Sequence, residues 1–502
     1  MFSDLLRNFV EKQVYSNEER QDQRRHRQAQ DVKAGERERK AESTERTAQI
    51  RQQTTQVRPG QGAQKKRRES NRTEQRTGTI TLEPVERYTY KGFLIFAALL
   101  CCIYGGQSLR QAVRTLEIFN HLLNGQLGRI PCYTTVETWV AKSGLAALKG
   151  AAKSIKDAYA LIMDASISVG DQQLLLFLKV PAEHTGHALQ HTDVEVADMK
   201  VATNWPAESV KDMAQGIIDK EGAGPEYLLS DNGSNLRKAA ESMGLPHHRD
   251  VSHTLATCLK QVYEKDPEYM LFSEQIGKTK RLALTDVGYL MPCKQRRMAR
   301  FMNLYPIVDW AEGMLDNFHL LGKKEKYHYS FIQRNAGLVS ELSEVLSLFE
   351  DIMKILKGEG LSKTSAERCK ALTSRALLPG GERTRCLGTL ICQYLDKEVS
   401  LLKDSDKPHN ISSDIEESSF GLLKGSMPTC KMAGFTECVL RLPLYSRLRK
   451  IGQVNVSHVI RWMTDTRMAD VQIWKRQNLR PNPLVRRRRC LTRMTENEGT
   501  SY

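Results

Sequence analysis

No Cys-x-x-Cys pair occurs among the eleven cysteines of this sequence, so the usual spacing of a structural zinc site is missing. Cys101 and Cys102 are adjacent, which is poor geometry for a disulfide. The cysteines therefore read as reduced, mostly buried thiols of a cytosolic protein. A run of about 20 apolar residues, the length of a membrane-spanning helix, is also lacking. The most apolar stretch, Phe93 to Tyr104 (FLIFAALLCCIY), is too short and reads as a buried helix. The N-terminus carries no signal-peptide hydrophobic region. Residues 17–80 contain almost no large apolar side chains and cannot bury enough surface to offset their ordering entropy.

What is abundant is positive charge. The 502 residues carry a formal net charge of +16, and the pI is about 9.3. Residues 1–80 hold 19 Lys/Arg against 12 Asp/Glu, or +7 of that excess. Such a balance favours a polyanionic partner, most simply DNA or RNA, although a ribosome-associated or membrane-surface protein would also be basic. A short amphipathic helix over 1–16 opens this basic, low-complexity tail (1–82), which is either disordered or ordered by a partner. Within it Lys65-Lys66-Arg67-Arg68 either contacts phosphates or keeps the tail soluble.

Residues 83–150 change character and predict a helical domain. One helix spans 91–104, and a second spans 109–123 with Leu109, Val113 and Leu116 at helical spacing. A third begins Tyr133-Thr134-Thr135. Its polar start, apolar middle and glycine end suit a helix-turn-helix recognition helix, with Thr134 and Thr135 facing base edges; a helical spacer is the alternative.

Residues 151–265 alternate strands and helices. Strands are expected at 159–163, 174–180, 194–201, 226–230 and 249–252, with helices after the third, fourth and fifth. Three strands joined by short turns and then strand-helix-strand is the order of an RNase H-like fold. Residues 266–410 predict an all-α insertion, including a stripe from Leu338 to Leu356 that reads as core packing. In this region Arg296 and Arg297 either touch DNA or form a solvated face. Residues 411–460 return to the core with an acidic helix. Residues 461–502, containing Arg486-Arg487-Arg488-Arg489, read as a basic tail without its own core.

Three acids stand out. Asp164 follows the apolar run 159–163, and Asp231 follows Tyr227-Leu228-Leu229-Ser230 and opens Asn232-Gly233-Ser234. Glu417 lies in Ser413-Asp414-Ile415-Glu416-Glu417-Ser418-Ser419-Phe420-Gly421. Three such carboxylates can hold two divalent cations about 3.5–4 Å apart for in-line phosphoryl displacement. Each acid has a bland reading too: a strand-end cap, an Asp-Asn-Gly turn, or complement to a helix dipole. Asp171 rivals Asp164 but sits in a Gly-Asp-Gln turn, where a structural role suffices. His247 and His248 read as exposed loop residues.

In this order, and with His253 three residues past Asp250, these motifs resemble the DDE transposases of bacterial insertion sequences over roughly 85–450. The resemblance implies an RNase H-like core, two Mg²⁺ ions (Mn²⁺ substituting) on Asp164, Asp231 and Glu417, and His253 near the scissile phosphate. One ion would activate water or a DNA 3′-hydroxyl, and the other would stabilise the leaving oxygen. It also implies double-stranded DNA as partner, a homo-oligomer on DNA, no membrane, no small-molecule substrate, and a nucleoid-associated place in a bacterial cytoplasm. The interval from Asp231 to Glu417 is 186 residues, which the helical insertion accounts for. Glu416 rivals Glu417, since neighbours on a helix point about 100° apart. Glu417 is favoured because Lys424 follows it by seven residues, nearly two turns, and would share its face to hold a phosphate. Arg237 and Lys238, on the helix after Asp231, are the other expected phosphate contacts. Two further readings share the same acids or scaffold: an RNase H-like nuclease without strand transfer, and an inactive DNA-binding derivative.

Overall fold

Five strands form one mixed sheet in the order β3-β2-β1-β4-β5. They are β1 (Tyr159–Val169), β2 (Gln172–Pro181), β3 (Glu195–Ala202), β4 (Leu228–Ser230) and β5 (His247–Arg249). The first three pair antiparallel, while β4 runs parallel to β1 and β5 parallel to β4. The computed structural model describes residues 88–150, 158–282, 288–291, 301–302, 304–402, 407–427, 434–449 and 456–498. The tail 1–82 with Lys65–Arg68, and both Arg296 and Arg297, lie outside the described residues.

Side-chain alternation divides the sheet into two faces. Tyr159, Leu161, Met163, Leu175, Phe177 and Leu228 pack under α4 (Ala207–Glu221) and α5 (Ser234–Met243), through Val210, Ala214, Leu236 and Ala240. Ala160, Ile162, Leu174, Leu176, Leu178 and Leu229 point the other way, into a larger core. The helices of that second face come from both ends of the chain: α1 (Gly92–Ile103), α2 (Leu109–Leu122) and α3 (Tyr133–Gly150) from one, and α13 (Asp414–Ser426), α14 (Leu442–Leu448), α15 (Val456–Asp465) and α16 (Met468–Asn478) from the other.

Residues 92–150 therefore share a core with the sheet rather than closing one of their own. Helix α3 is central to it. Val136, Trp139, Val140, Ala141 and Leu145 are buried, and Gly144 lies so close to the 3-10 turn before α14 (Glu437–Arg441) that a Cβ would meet the Leu440 carbonyl oxygen at 2.0 Å. The C-terminal stretch also differs from expectation: Val459, Met463, Val471 and Trp474 are buried in this core. In this stretch α17 (Pro483–Glu498), which carries the run Arg486 to Arg489, stands largely exposed; Arg486 pairs with Asp171 in the β1–β2 turn.

Between β5 and α13 the chain is helical: α6 (Val251–Tyr263), α7 (Pro267–Leu282), α8 (Tyr305–Asp316), α9 (Lys323–Arg334), α10 (Ala336–Glu359), α11 (Lys363–Leu377) and α12 (Glu382–Ser400). The stripe Leu338, Leu342, Val345, Phe349, Ile352 and Leu356 is buried along α10. The insertion is fastened to the sheet by Glu398 of α12, which is fully buried. Its carboxylate accepts from His248 Nδ1 at 2.9 Å and from Arg249 Nε at 3.0 Å. Tyr394, one turn earlier on α12, donates to the Arg249 carbonyl at 2.9 Å. His247 and His248 are accordingly strand residues and not an exposed loop, and His248 Nε2 also meets His409 Nδ1 at 3.2 Å.

Removing one partner of a buried charged network costs roughly 3–5 kcal/mol, whereas an exposed pair contributes little. Glu398→Ala is expected to lower unfolding stability by roughly 3 kcal/mol. Glu241→Ala, which breaks only the exposed 3.6 Å pair with Arg237, is expected to change it by less than about 0.5 kcal/mol. Urea denaturation of the two variants measures the contrast.

Candidate active site

The parallel register of β1 and β4 places the first two acids. Ile162 pairs with Leu229 and Met163 with Ser230, so Asp164 and Asp231 are the next residues along neighbouring strands. Such strands lie about 4.8 Å apart. Alternation sends both side chains to the face of Ile162 and Leu229, which α13 covers. At Asp164 the β1–β2 pairing changes register, so this acid sits in the strand at an irregularity and not at the strand's end. Asp231 does make the expected turn: one carboxylate oxygen accepts from Gly233 N at 2.7 Å and leads the chain into α5.

β5 adds a third acid. Ser230 pairs with Arg249, and Asp250 N donates to the Ser230 carbonyl at 2.8 Å. Asp250 is almost completely buried, and its carboxylate starts two helices. One oxygen accepts from His253 N at 2.8 Å, capping α6; the other accepts from Ser413 N at 2.7 Å and Ser413 Oγ at 3.0 Å, fixing the entry to α13. Asp250 thereby ties the histidine-bearing helix to the glutamate-bearing one. From the sequence Asp250 falls inside the strand expected over 249–252, which hides its place as a cap.

The two glutamates of α13 diverge as their 100° separation requires. Glu417 is half exposed, and its Oε1 lies 3.1 Å from His253 Nε2. The hydrogen bond from His253, aided by the positive charges of His253, Lys357 and Lys424, holds its carboxyl below the usual range despite partial burial. Lys424, seven residues on along α13, is the most weakly acting of those charges. Glu416 turns inward and is fully buried, with neither carboxylate oxygen hydrogen-bonded. Burial pushes its carboxyl well up, and the negative charges of Asp164, Asp231, Asp250 and Glu417 push it further. The two glutamates thus face different ways, as expected of helix neighbours, but it is the buried Glu416 that lies in the field of the aspartates, while Glu417, the one favoured from the sequence, meets the histidine. Among the described residues no three His, Cys, Asp or Glu side chains are gathered closely enough to ligate a single ion as they lie.

His253 sits between these groups. Burial lowers its imidazole, but the hydrogen bond to Glu417 and the charges of Asp250, Asp231 and Glu417 outweigh that effect and raise it to about 9. Lys357 of the insertion pairs with Asp414 at the first turn of α13, and Ser252 Oγ donates to Asp414 at 3.4 Å. No motif marked Lys357, because α10 reads as packing along its length.

The other expected DNA contacts among the described residues lie on α5 and α3. Arg237 and Lys238 are exposed on α5, the helix that Asp231 leads into. Thr134 and Thr135 occupy the first turn of α3, within 3.1 and 3.2 Å of Cys132 Sγ. Those hydrogen bonds lower the exposed Cys132 thiol to about 7. Since most of α3 from Val136 to Leu148 is buried, it is not a free recognition helix able to lie along a groove; its first turn and its last two residues are open.

The raised His253 value has a definite sign. Its contribution to stability is fully present below its ordinary 6.5 and is lost as pH rises through about 9. Glu417, lowered from 4.5, contributes above that value and loses its contribution as pH falls through its folded pKa. The pair is therefore strongest between pH 4.5 and 6.5. His253→Gln is expected to flatten the wild-type decline in stability between pH 6.5 and 9. The slope should fall well short of about 1.4 kcal/mol per pH unit because Glu417 is half exposed. Denaturant melts of both proteins across that range give the comparison. No protein family and no curated protein matches the chain, so the reading of this site rests on its geometry.

Proposed function

We propose that this protein is a metal-dependent DNA transposase: an RNase H-like core that cleaves a DNA strand and joins the freed 3′-hydroxyl to a target. The observation that carries the proposal is the β1–β4 register, which sets Asp164 and Asp231 side by side on one face beneath a helix bearing Glu417. The strand order, with three antiparallel strands followed by two parallel ones, supports an RNase H-like core.

The donor set suits a hard divalent cation, since carboxylate oxygens prefer Mg²⁺ or Mn²⁺ to softer metals. The buried, unpartnered oxygens of Glu416 in the field of the aspartates fit a place where positive charge is required. Asp164, Asp231 and Glu417 would hold the ions. The chemistry supplied by ions held there would be activation of an attacking oxygen and stabilisation of the leaving one. The protein's own work is then positioning and charge compensation. His253 orients Glu417, and Asp250 sets both helix starts. Lys424, with Arg237 and Lys238, would hold phosphates at the site's edge. The net charge of +16 and the exposed arginines of α17 favour long DNA. No helix among the described residues is long and apolar enough to cross a membrane. Assembly as a homo-oligomer on DNA and a nucleoid-associated location belong to the same proposal.

Cleavage and strand transfer on DNA carrying the element's own ends, in Mg²⁺ or Mn²⁺, test the reading. Asp164→Asn, Asp231→Asn and Glu417→Gln should each lose more than the roughly 10–100-fold typical of an outer-shell partner, while DNA binding persists. Cleavage without joining of a pre-cut 3′-hydroxyl end would instead identify a nuclease. Binding without any cutting would identify a DNA-binding protein on this scaffold.

A further inference from the structure

Glu416 has no ligand role in the three-acid site proposed above. It occupies the first turn of α13 with 0% exposure, among Ile415, Phe420 and Leu423 of the core. Neither side-chain oxygen has a hydrogen-bond partner, and among the described residues no other carboxylate has both oxygens so placed. The charges acting on it most strongly, Asp164 first and then Asp231 and Asp250, are all negative. An isolated buried acid is costly, and a leucine or glutamine in this place would remove the cost. Arrangements that sacrifice stability in this way mark functional sites.

We propose that Glu416 is a fourth carboxyl of the metal site, an inner ligand that reaches a divalent cation between Asp164 and Asp231 from the core side, while Glu417 serves it from the solvent side. This rests on the metal-site reading above and goes beyond its three acids. Two adjacent glutamates on one helical turn then have different tasks. Glu417 is held by His253 and open to substrate, whereas Glu416 is enclosed and needs the cation as its partner. Without a cation this enclosed carboxyl has no hydrogen-bond partner; with one, its two unpartnered oxygens acquire what they lack.

Thermal melting of the full chain, with and without Mg²⁺ or Mn²⁺ alone, separates the possibilities through a readout other than activity. Glu416→Gln keeps the side chain's shape and removes its ability to ionise. It is expected to melt higher than wild type without metal, by about a degree or more. It should also show a smaller metal-induced rise, with the metal midpoint moved to roughly tenfold higher concentration or beyond. Glu416→Leu should behave the same way. If Glu416→Gln shows the full wild-type metal response, Glu416 is only a core acid and the proposal is overturned. If it melts lower than wild type without metal, the carboxyl is already satisfied in the protein and the proposal again falls. If wild type itself shows no response to either ion, the metal-site reading fails, and the inference with it.

Discussion

The pairing of three residues, Leu161, Ile162 and Met163, with Leu228, Leu229 and Ser230 is the constraint on which the site depends. Because side chains alternate strictly along a strand, a slip of one residue would send one aspartate under α4 and α5 instead of under α13. The apolar content on both faces prevents that slip. Ile162 and Leu229 belong to one core, and Leu161, Met163 and Leu228 to the other, so each strand is locked by burial on two sides. The carboxylates stand where those short apolar runs stop, so the packing that stabilises the sheet also fixes the acids.

A second layer of constraint comes from buried polar groups that join remote parts of the chain. Asp250 accepts hydrogen bonds from the starts of two helices that are 163 residues apart in sequence. Glu398 binds β5 to the last helix of the insertion. Both are buried, and both would be expensive to leave unpaired, which is why they specify one arrangement. Through them the insertion is more than an appendage. It braces the sheet edge at β5 and brings Lys357 to the first turn of the glutamate helix.

Much of this was legible in the residues because periodicity reports burial directly. The apolar runs before Asp164 and Asp231 predict the two strands, and the stripe on α10 predicts its buried face. The interval between Glu417 and Lys424 predicts their shared side. Other features were not legible, for physical reasons that are equally specific. Glu416 and Glu417 are adjacent acids whose exposure depends on how α13 enters, and Asp250 sets that entry from far away in sequence. His247-His248 resembles a loop dipeptide, because a strand of three residues carries no detectable alternation. The polar first turn of α3 resembles a recognition helix, but the demand for Gly144 against Leu440 comes only from tertiary packing. Positions whose meaning lies in a long-range partner are those that a local pattern misreads.

The most direct test of the account is an anomalous-scattering map of crystals grown with Mn²⁺ and DNA. The account predicts two peaks about 3.5–4 Å apart, flanked by Asp164 and Asp231 and facing α13. A Mn²⁺-saturated complex with no density between those two aspartates, or with its ions bound elsewhere, would contradict it.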